Sequence, residues 1–436
     1  MWGPVDGRRW RSVSTSVGAV QISSRATRVA VIVLGDLGRS PRMQYHALAL
    51  ADAGAAVVLI GLAGSEPCAA VRAHAAIRVH AIGDPAPPRP GAGVAYLIAA
   101  TRRAVAQARA LAAALDTAAP DVILAQTPPA LPTLAVALRA ARRQGARLVL
   151  DWHNLGHTLL ALRLGAGHPV VRLAALLERR DGRRAAAHLC VSQAMRAALA
   201  ADWGIDAVVL ADRPARRFTP LPRAAREAAA AALARQYGWD GGGARPSLLI
   251  APSGWSADDD FDLLHAALPA CDTRLAARGG AARLLLLLTG SGPRRDAVAA
   301  RLAALPLTRI AVRTTWLAAD AYPDALAAAD LGLCLHRSAS GRDLPMKIAD
   351  MFGAGLPVCA LDDGGCLREM VRPNVTARLF VDAAGLAAAL DEILGEPAGA
   401  ALARLRAGAL EEADGPRWDD AWRATAAPLL LTRATR

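Results

Sequence analysis

The chain has 436 residues, of which 54% are hydrophobic and only 4% aromatic, enough for two or three domains with cores of small aliphatic side chains. Its formal net charge of +13 is carried almost wholly by arginine, which favours an anionic partner: a nucleotide, a lipid diphosphate or an anionic membrane surface. The arginines are dispersed without a zinc finger or an aromatic RNA-binding signature, so nucleic acid is not the expected partner. Six scattered cysteines with no CxxC pair read as buried reduced thiols in a reducing compartment. No run of about 18 apolar residues predicts a transmembrane helix. Residues 1–27, rich in Arg and Ser, read as a disordered or targeting-like tail.

An apolar strand is expected at 28–34, followed by GDLGRSP at 35–41, a helix at 42–53 and a second strand at 56–60. This βαβ opening places a glycine turn at a strand's carboxyl end, where α/β folds bind ligands, but lacks the full GxGxxG of a dinucleotide site. Asp36, Arg39, Arg42 and His46 are the polar groups it would aim at a cleft; turn and helix-cap chemistry is the other reading. Strands are predicted at 77–81, 122–125, 148–151 and 189–192, and helices at 94–115 and 131–144. The rigid loop QTPPALP lies at 126–132. Asp151, His153 and Asn154 end a strand, where His153 is placed to act as a general base or is a buried structural histidine. Asp151 would orient it or act as base itself. From 155 to 184, Leu, Val and Ala alternate with Arg163, Arg172 and further arginines, a pattern of a membrane-docking face or of a packed helix with a solvated basic side. A strand at 207–211 leads to a Pro-, Ala- and Gly-rich linker at 212–245.

A second α/β domain opens with a strand at 248–251. The acidic run in PSGWSADDDF, 252–261, reads as a helix cap in which Ser256 and Asp259 have capping-box-like spacing, in preference to a metal site. After the strand 284–288, Gly290 and Gly292 permit close backbone approach and Arg294 can reach a phosphate. Trp316 follows the next strand, where from the residues alone it reads as a core anchor. Then comes a βαβ unit: strand 331–335, a polar turn from His336 through Gly341 to Arg342, a helix from Leu344 to about Phe352, and strand 357–361. A helix start offers free N–H groups and positive dipole to a diphosphate, and Lys347 adds a full charge. Asp350, one turn on, would accept hydrogen bonds from a ribose diol. In the bland reading, Asp343 caps this helix and Lys347 and Asp350 are a solvated pair. Glu369 faces the cleft or lies on the surface.

The blocks GDLGRSPRMQYHALAL, DWHN and HRSASGRDLPMKIADMFG, with the QTPP loop and the closing RWDDAW, resemble the chitobiosyldiphosphodolichol β-mannosyltransferase family between about residues 28 and 422. The resemblance implies a GT-B fold: two doubly wound Rossmann-like domains, acceptor side at 28–211 and GDP-mannose side at 246–416, with a crossing helix at 417–436. It implies inverting transfer of mannose from GDP-mannose to chitobiose on a polyprenyl (dolichyl) diphosphate, with no cofactor or metal required. His153 is the implied base, with Asp36 and Asp151 as alternatives. Gly290, Gly292, Arg294, Trp316, His336, Gly341, Leu344, Lys347 and Asp350 would hold the donor. Arg39, Arg42, Asn154, Arg163 and Arg172 would meet acceptor or membrane. The implied setting is peripheral attachment at the cytosolic face of the endoplasmic reticulum, or a bacterial cytoplasmic membrane, beside other lipid-linked-oligosaccharide glycosyltransferases. Two other readings stay open: a sugar-nucleotide epimerase or retaining transferase with a soluble acceptor, and a non-catalytic basic binding protein.

Overall fold

The computed structural model describes residues 26–84, 94–240, 244–278, 283–394 and 399–432. The expected tail therefore lies almost entirely outside the described residues, as do 241–243 of the expected linker. The first half runs β1 (Arg28–Asp36), α1 (Pro41–Asp52), β2 (Ala56–Leu62), α2 (Ala69–Ala73), β3 (Ile77–Ile82), α3 (Val94–Ala118), β4 (Val122–Thr127), α4 (Thr133–Gln144) and β5 (Arg147–Trp152). It continues through α5 (Gly156–Leu164), α6 (Pro169–Gly182), β6 (Ala187–Cys190), α7 (Gln193–Trp203), β7 (Val208–Val209) and α8 (Arg223–Gln236). The second half comprises β8 (Ser247–Pro252), α9 (Phe261–Ala277), β9 (Leu284–Thr289), α10 (Arg295–Ala303), β10 (Ile310–Thr315), α11 (Tyr322–Ala328), β11 (Leu331–Cys334), α12 (Met346–Gly353) and β12 (Val358–Leu361). It closes with β13 (Ala377–Phe380), α13 (Ala383–Leu394), α14 (Gly399–Asp414) and α15 (Trp418–Leu431).

Two sheets result, ordered β3-β2-β1-β4-β5-β6-β7 and β10-β9-β8-β11-β12-β13. Every pairing between these strands is parallel, so all carboxyl ends in a sheet share one edge. Helices cover both faces, which is why the central strands read as unbroken apolar runs such as 284–288, buried throughout. The strand order reverses between β1 and β4, and again between β8 and β11; crevices at such switch points are where open α/β sheets take ligands.

The sheets are not joined by a loose tether. Phe218 is fully buried, and a Cβ on Gly353 of α12 would lie 2.7 Å from Pro214 and 2.8 Å from Phe218. The linker therefore lies flat on α12. Helix α15 returns to the first sheet: Trp418 and Trp422 are each 1% exposed, and Arg147 at the start of β5 donates to Leu429 O at 2.9 Å. Trp422 Nε1 donates to His46 Nδ1 (2.9 Å), leaving His46 Nε2 to donate to Asp151 (3.3 Å).

At the centre of that contact is Arg42 of α1, only 1% exposed. Its Nε and Nη2 meet both oxygens of Asp151 at 2.7 and 2.9 Å, its Nη1 meets Asp212 at 2.6 Å, and its guanidinium lies 5.2 Å from the Trp418 ring. Burial disfavours the guanidinium's charge, but the two carboxylates overcome it and raise its pKa; the Asp151 carboxyl is correspondingly held far below the usual range. A buried ion pair with one partner removed strands a charge, so Arg42→Met should cost about 3–5 kcal/mol. Exposed Arg172→Met should stay within about 0.5 kcal/mol, both read from denaturant midpoints.

Burial also lowers the pKa of His46, and pushes His188, whose Nδ1 accepts from Trp152 Nε1, down to about 4. The unfolded chain binds these protons near pH 6.5 and the folded chain does not, so stability is full above about 6.5 and falls towards 4. The melting temperature should drop across that window, and His188→Gln, which keeps an acceptor for Trp152, should blunt the drop.

Candidate functional site

The two carboxyl edges face each other, as their contacts record. Arg39, after β1, donates to Gly254 O after β8 at 3.4 Å. Ser192, after β6, donates to Arg342 O after β11 at 2.5 Å. Glu369, in the short turn after β12, accepts from Gln193 N and Ala194 N at 2.6 and 2.9 Å, capping α7 from the opposite domain. Such caps satisfy helix-start N–H groups and favour negative charge there. The cleft lies between these bridges.

On the second domain's wall the central pair is Lys347 and Asp259, 2.8 Å apart. Burial opposes both charges, but each partner overcomes it: the Lys347 pKa is raised and that of Asp259 lowered. Asp259 also accepts from Ser253 Oγ at 2.6 Å and Gly254 N at 3.2 Å, tying the β8 loop to the first turn of α12. The helix α9 is capped instead by Asp260, which accepts from Leu263 N at 2.9 Å; the expected capping role of Ser256 and Asp259 is corrected. Lys347 is the only lysine in the chain, every other one of its 51 strongly basic residues being arginine. That usage was a signal in the sequence. A compact ammonium fits beside a buried carboxylate where a guanidinium fork does not.

His336 Nε2 lies 2.9 Å from Asp343, which also takes the Ser338 hydroxyl; burial opposes the Asp343 charge, but His336 and Ser338 keep its pKa low. Asp343 thus shapes the polar turn, and α12 begins later, at Met346, than the predicted start at Leu344. Leu344 itself is buried, 3% exposed, so only its neighbourhood borders the cleft. Gly341 has a φ of +68° with open space around its Cβ position, so the turn's backbone requires a glycine there. Gly290 and Gly292 are glycines for a different reason than the one expected. A Cβ on either would lie 2.0 Å from the Ser253 or Gly254 carbonyl oxygen, so they admit the β8 loop. Arg294, half-buried, donates weakly to Ser256 O at 3.5 Å, and Trp316 is 51% exposed after β10, which excludes a core anchor.

Asp350 of α12 is buried rather than part of a solvated pair with Lys347. It is 8% exposed, and burial raises its pKa to about 7; the charges acting on it are Arg217 and Asp212 of the linker.

On the first domain's wall, His153 is half-buried after β5, its N–H donating to Thr127 O at 3.0 Å, and its charge acts on Asp343 across the cleft. Of the sequence's candidates for base, His153 and Asp36 are partly exposed at the carboxyl edge and Asp151 is not. Asp151 has no exposed surface and is committed to Arg42 and His46, so it supports the loop from beneath, and Arg42 likewise makes no cleft contact. Asp36 is spent on structure: its oxygens accept from Gly38 N (3.0 Å), Ser65 N (3.0 and 3.1 Å) and Ser65 Oγ (3.0 Å), lacing the β1 and β2 loops together. Asn154 is 6% exposed and its Oδ1 accepts from Leu155 N at 2.7 Å, which shapes the turn into α5.

Buried Glu178 of α6 was missed. It accepts from Gly156 N at 2.8 Å and His157 N at 3.1 Å and holds His157 Nδ1 at 2.8 Å, capping α5 at the mouth of the cleft. Arg163 and Arg172 stand exposed on α5 and α6. Among the described residues no helix is long and apolar enough to cross a membrane, and no cluster of three His, Cys, Asp or Glu could hold a metal ion. Chemically, the cleft offers a histidine on one wall and a cationic helix start on the other, suited to removing a proton while an anionic group departs.

Residues 38–211 match the glycosyl transferase 4-like domain and residues 247–396 the glycosyl transferases of group 1. Sucrose-phosphate synthase from Thermosynechococcus elongatus superposes with a TM-score of 0.65 at 17% identity, covering 92% of this chain and 96% of that one, a likeness of GT-B fold. The chain is 36% identical to the UDP-glycosyltransferase TURAN of Arabidopsis thaliana, over 92% of this chain and 97% of that protein. It is 37% identical to the chitobiosyldiphosphodolichol β-mannosyltransferase of Mus musculus, over 94% of this chain and 90% of the mouse protein. With both lobes covered and the cleft assembled from the blocks that carry the likeness, the chain belongs to the chitobiosyldiphosphodolichol β-mannosyltransferase family of GT-B glycosyltransferases.

Proposed function

We propose that this chain transfers mannose from GDP-mannose to the terminal 4-hydroxyl of chitobiose on a dolichyl or related polyprenyl diphosphate, inverting the anomeric centre. The observation that carries the reading is the likeness to the mouse mannosyltransferase across both domains. In this reading His153 Nε2 or Nδ1 accepts the hydroxyl proton as the oxygen attacks C1 of mannose from the face opposite the departing GDP. The bond from C1 to the β-phosphate oxygen breaks, and its electron pair leaves with the diphosphate. Lys347, Arg294 and the free N–H groups at the start of α12 offset that charge. Trp316, exposed after β10, would cover the guanine in this reading.

Arg163 and Arg172, with Leu162, Leu164, Leu173 and Leu176 exposed beside them, form the face that would rest on an anionic membrane. Attachment would be peripheral, at the cytosolic face of the endoplasmic reticulum or its bacterial counterpart. The name of the Arabidopsis relative points to a UDP-sugar instead, so the donor base is the second thing to test.

Radiolabelled transfer to phytanyl-diphospho-chitobiose should occur with GDP-mannose and not with UDP-sugars. His153→Ala should lower kcat by about 10²–10⁴-fold with GDP affinity retained. Lys347→Met should weaken GDP binding by roughly ten-fold or more, and Lys347→Arg should fail to restore it. Transfer from a UDP-sugar, or unimpaired turnover by His153→Ala, would contradict the donor or the base respectively.

A further inference from the structure

One apolar pocket of about 480 Å³ has no role in the chemistry above. It lies between the 128–131 loop after β4, Leu160 and Leu162 of α5, Ala174 of α6, and the 256–258 loop of the opposite domain. Its volume falls within the ~300–1,000 Å³ of ordinary small-ligand sites. Three observations say what would fill it. The pocket opens from the cleft, since one wall is the loop that leads directly into Asp259, the partner of Lys347. On its other side its rim is open to solvent, where the lining residues Leu131 and Leu162 are 41% and 57% exposed. Lastly, Arg163 lines the pocket and is exposed, a cation at an apolar mouth.

We propose that this pocket receives the first isoprene units of the polyprenyl acceptor, with Arg163 meeting the adjoining diphosphate; the inference rests on the acceptor class argued above. The spacing agrees. Helix α5 starts beside His153 and rises about 1.5 Å per residue, so Arg163 stands roughly 10 Å beyond Gly156. The two sugar rings of chitobiose separate the attacking hydroxyl from the diphosphate and would occupy that interval. The remaining chain would leave past the exposed rim at Leu131 and Leu162 towards the bilayer, and the buried Glu178, which caps α5 and holds His157 at the pocket wall, keeps this path in register with the cleft.

The test uses the full chain with GDP saturating, so that the donor site is filled. Titration calorimetry compares farnesyl diphosphate with inorganic diphosphate. Farnesyl diphosphate should bind at least ten-fold tighter. Ala174→Trp, which fills the pocket, should bring the two within two-fold of each other while GDP still binds. Leu131→Ser, on the exposed rim, should narrow the gap by several-fold and guards against a misfolded Ala174→Trp. Equal affinities in the wild type, or a preference untouched by both substitutions, would overturn the pocket assignment even if mannose transfer is observed. Vesicle binding without any farnesyl preference would do the same, leaving α5 and α6 as a membrane contact alone. Farnesyl binding in the pocket of a chain that transfers no mannose would uphold the pocket and remove the proposed reaction.

Discussion

A single buried cation holds the reacting edge of the first domain in place. Arg42 binds Asp151 at the end of β5, Asp212 at the start of the linker, and the ring of Trp418 on the returning helix. Its helix begins immediately after the β1 loop, and Asp151 lies two residues before His153. Three otherwise separate parts of the cleft (the first loop, the histidine's strand and the hinge) therefore share one desolvated guanidinium. Charges removed from water tolerate little displacement, because any lost contact leaves a carboxylate uncompensated. His46 and Trp422 extend the same network to α15 through two hydrogen bonds. The closing helix thus reinforces a joint already set by charge.

The second domain uses its acids in the same way. Asp259 fixes the lysine and a loop, Asp343 fixes a histidine and a serine, and Asp260 caps a helix while pairing with Arg337. Preorganised cations and dipoles of this kind stabilise a departing anion without reorganising during the reaction. Between the domains, the bridges are few and run mostly from side chain to backbone, at Arg39, Ser192 and Glu369. Contacts of that type register two edges through hydrogen bonds rather than through apolar packing.

The two doubly wound sheets and the loops at their carboxyl edges were legible in the chain, because parallel strands buried on both faces read as uninterrupted apolar runs and their loops as glycine-, proline- and serine-rich breaks. The partners of the charged residues were not. Arg42 meets carboxylates 109 and 170 positions away, and Lys347 meets one 88 positions away; local spacing carries no trace of such pairs. For the same reason Asp151 and Asp350 looked available for chemistry when the fold buries them. Gly290 and Gly292 were recognisable as sites of close approach, but the approaching group is the neighbouring β8 loop. The solitary lysine was the clearest unused signal. In a chain that otherwise employs arginine throughout, a lysine at a helix start marks a position where a compact charge is needed.

With His153 as the proposed base on one wall and the cationic helix start on the other, attack and departure would occur on opposite faces of the transferred sugar. The most direct measurement is the anomeric configuration of the newly formed linkage, read from the one-bond carbon–hydrogen coupling at C1 of the transferred mannose in isolated product. A β-linkage from GDP-α-mannose is the expected result. An α-linkage would contradict inversion and with it the placing of the base across the cleft from the leaving group.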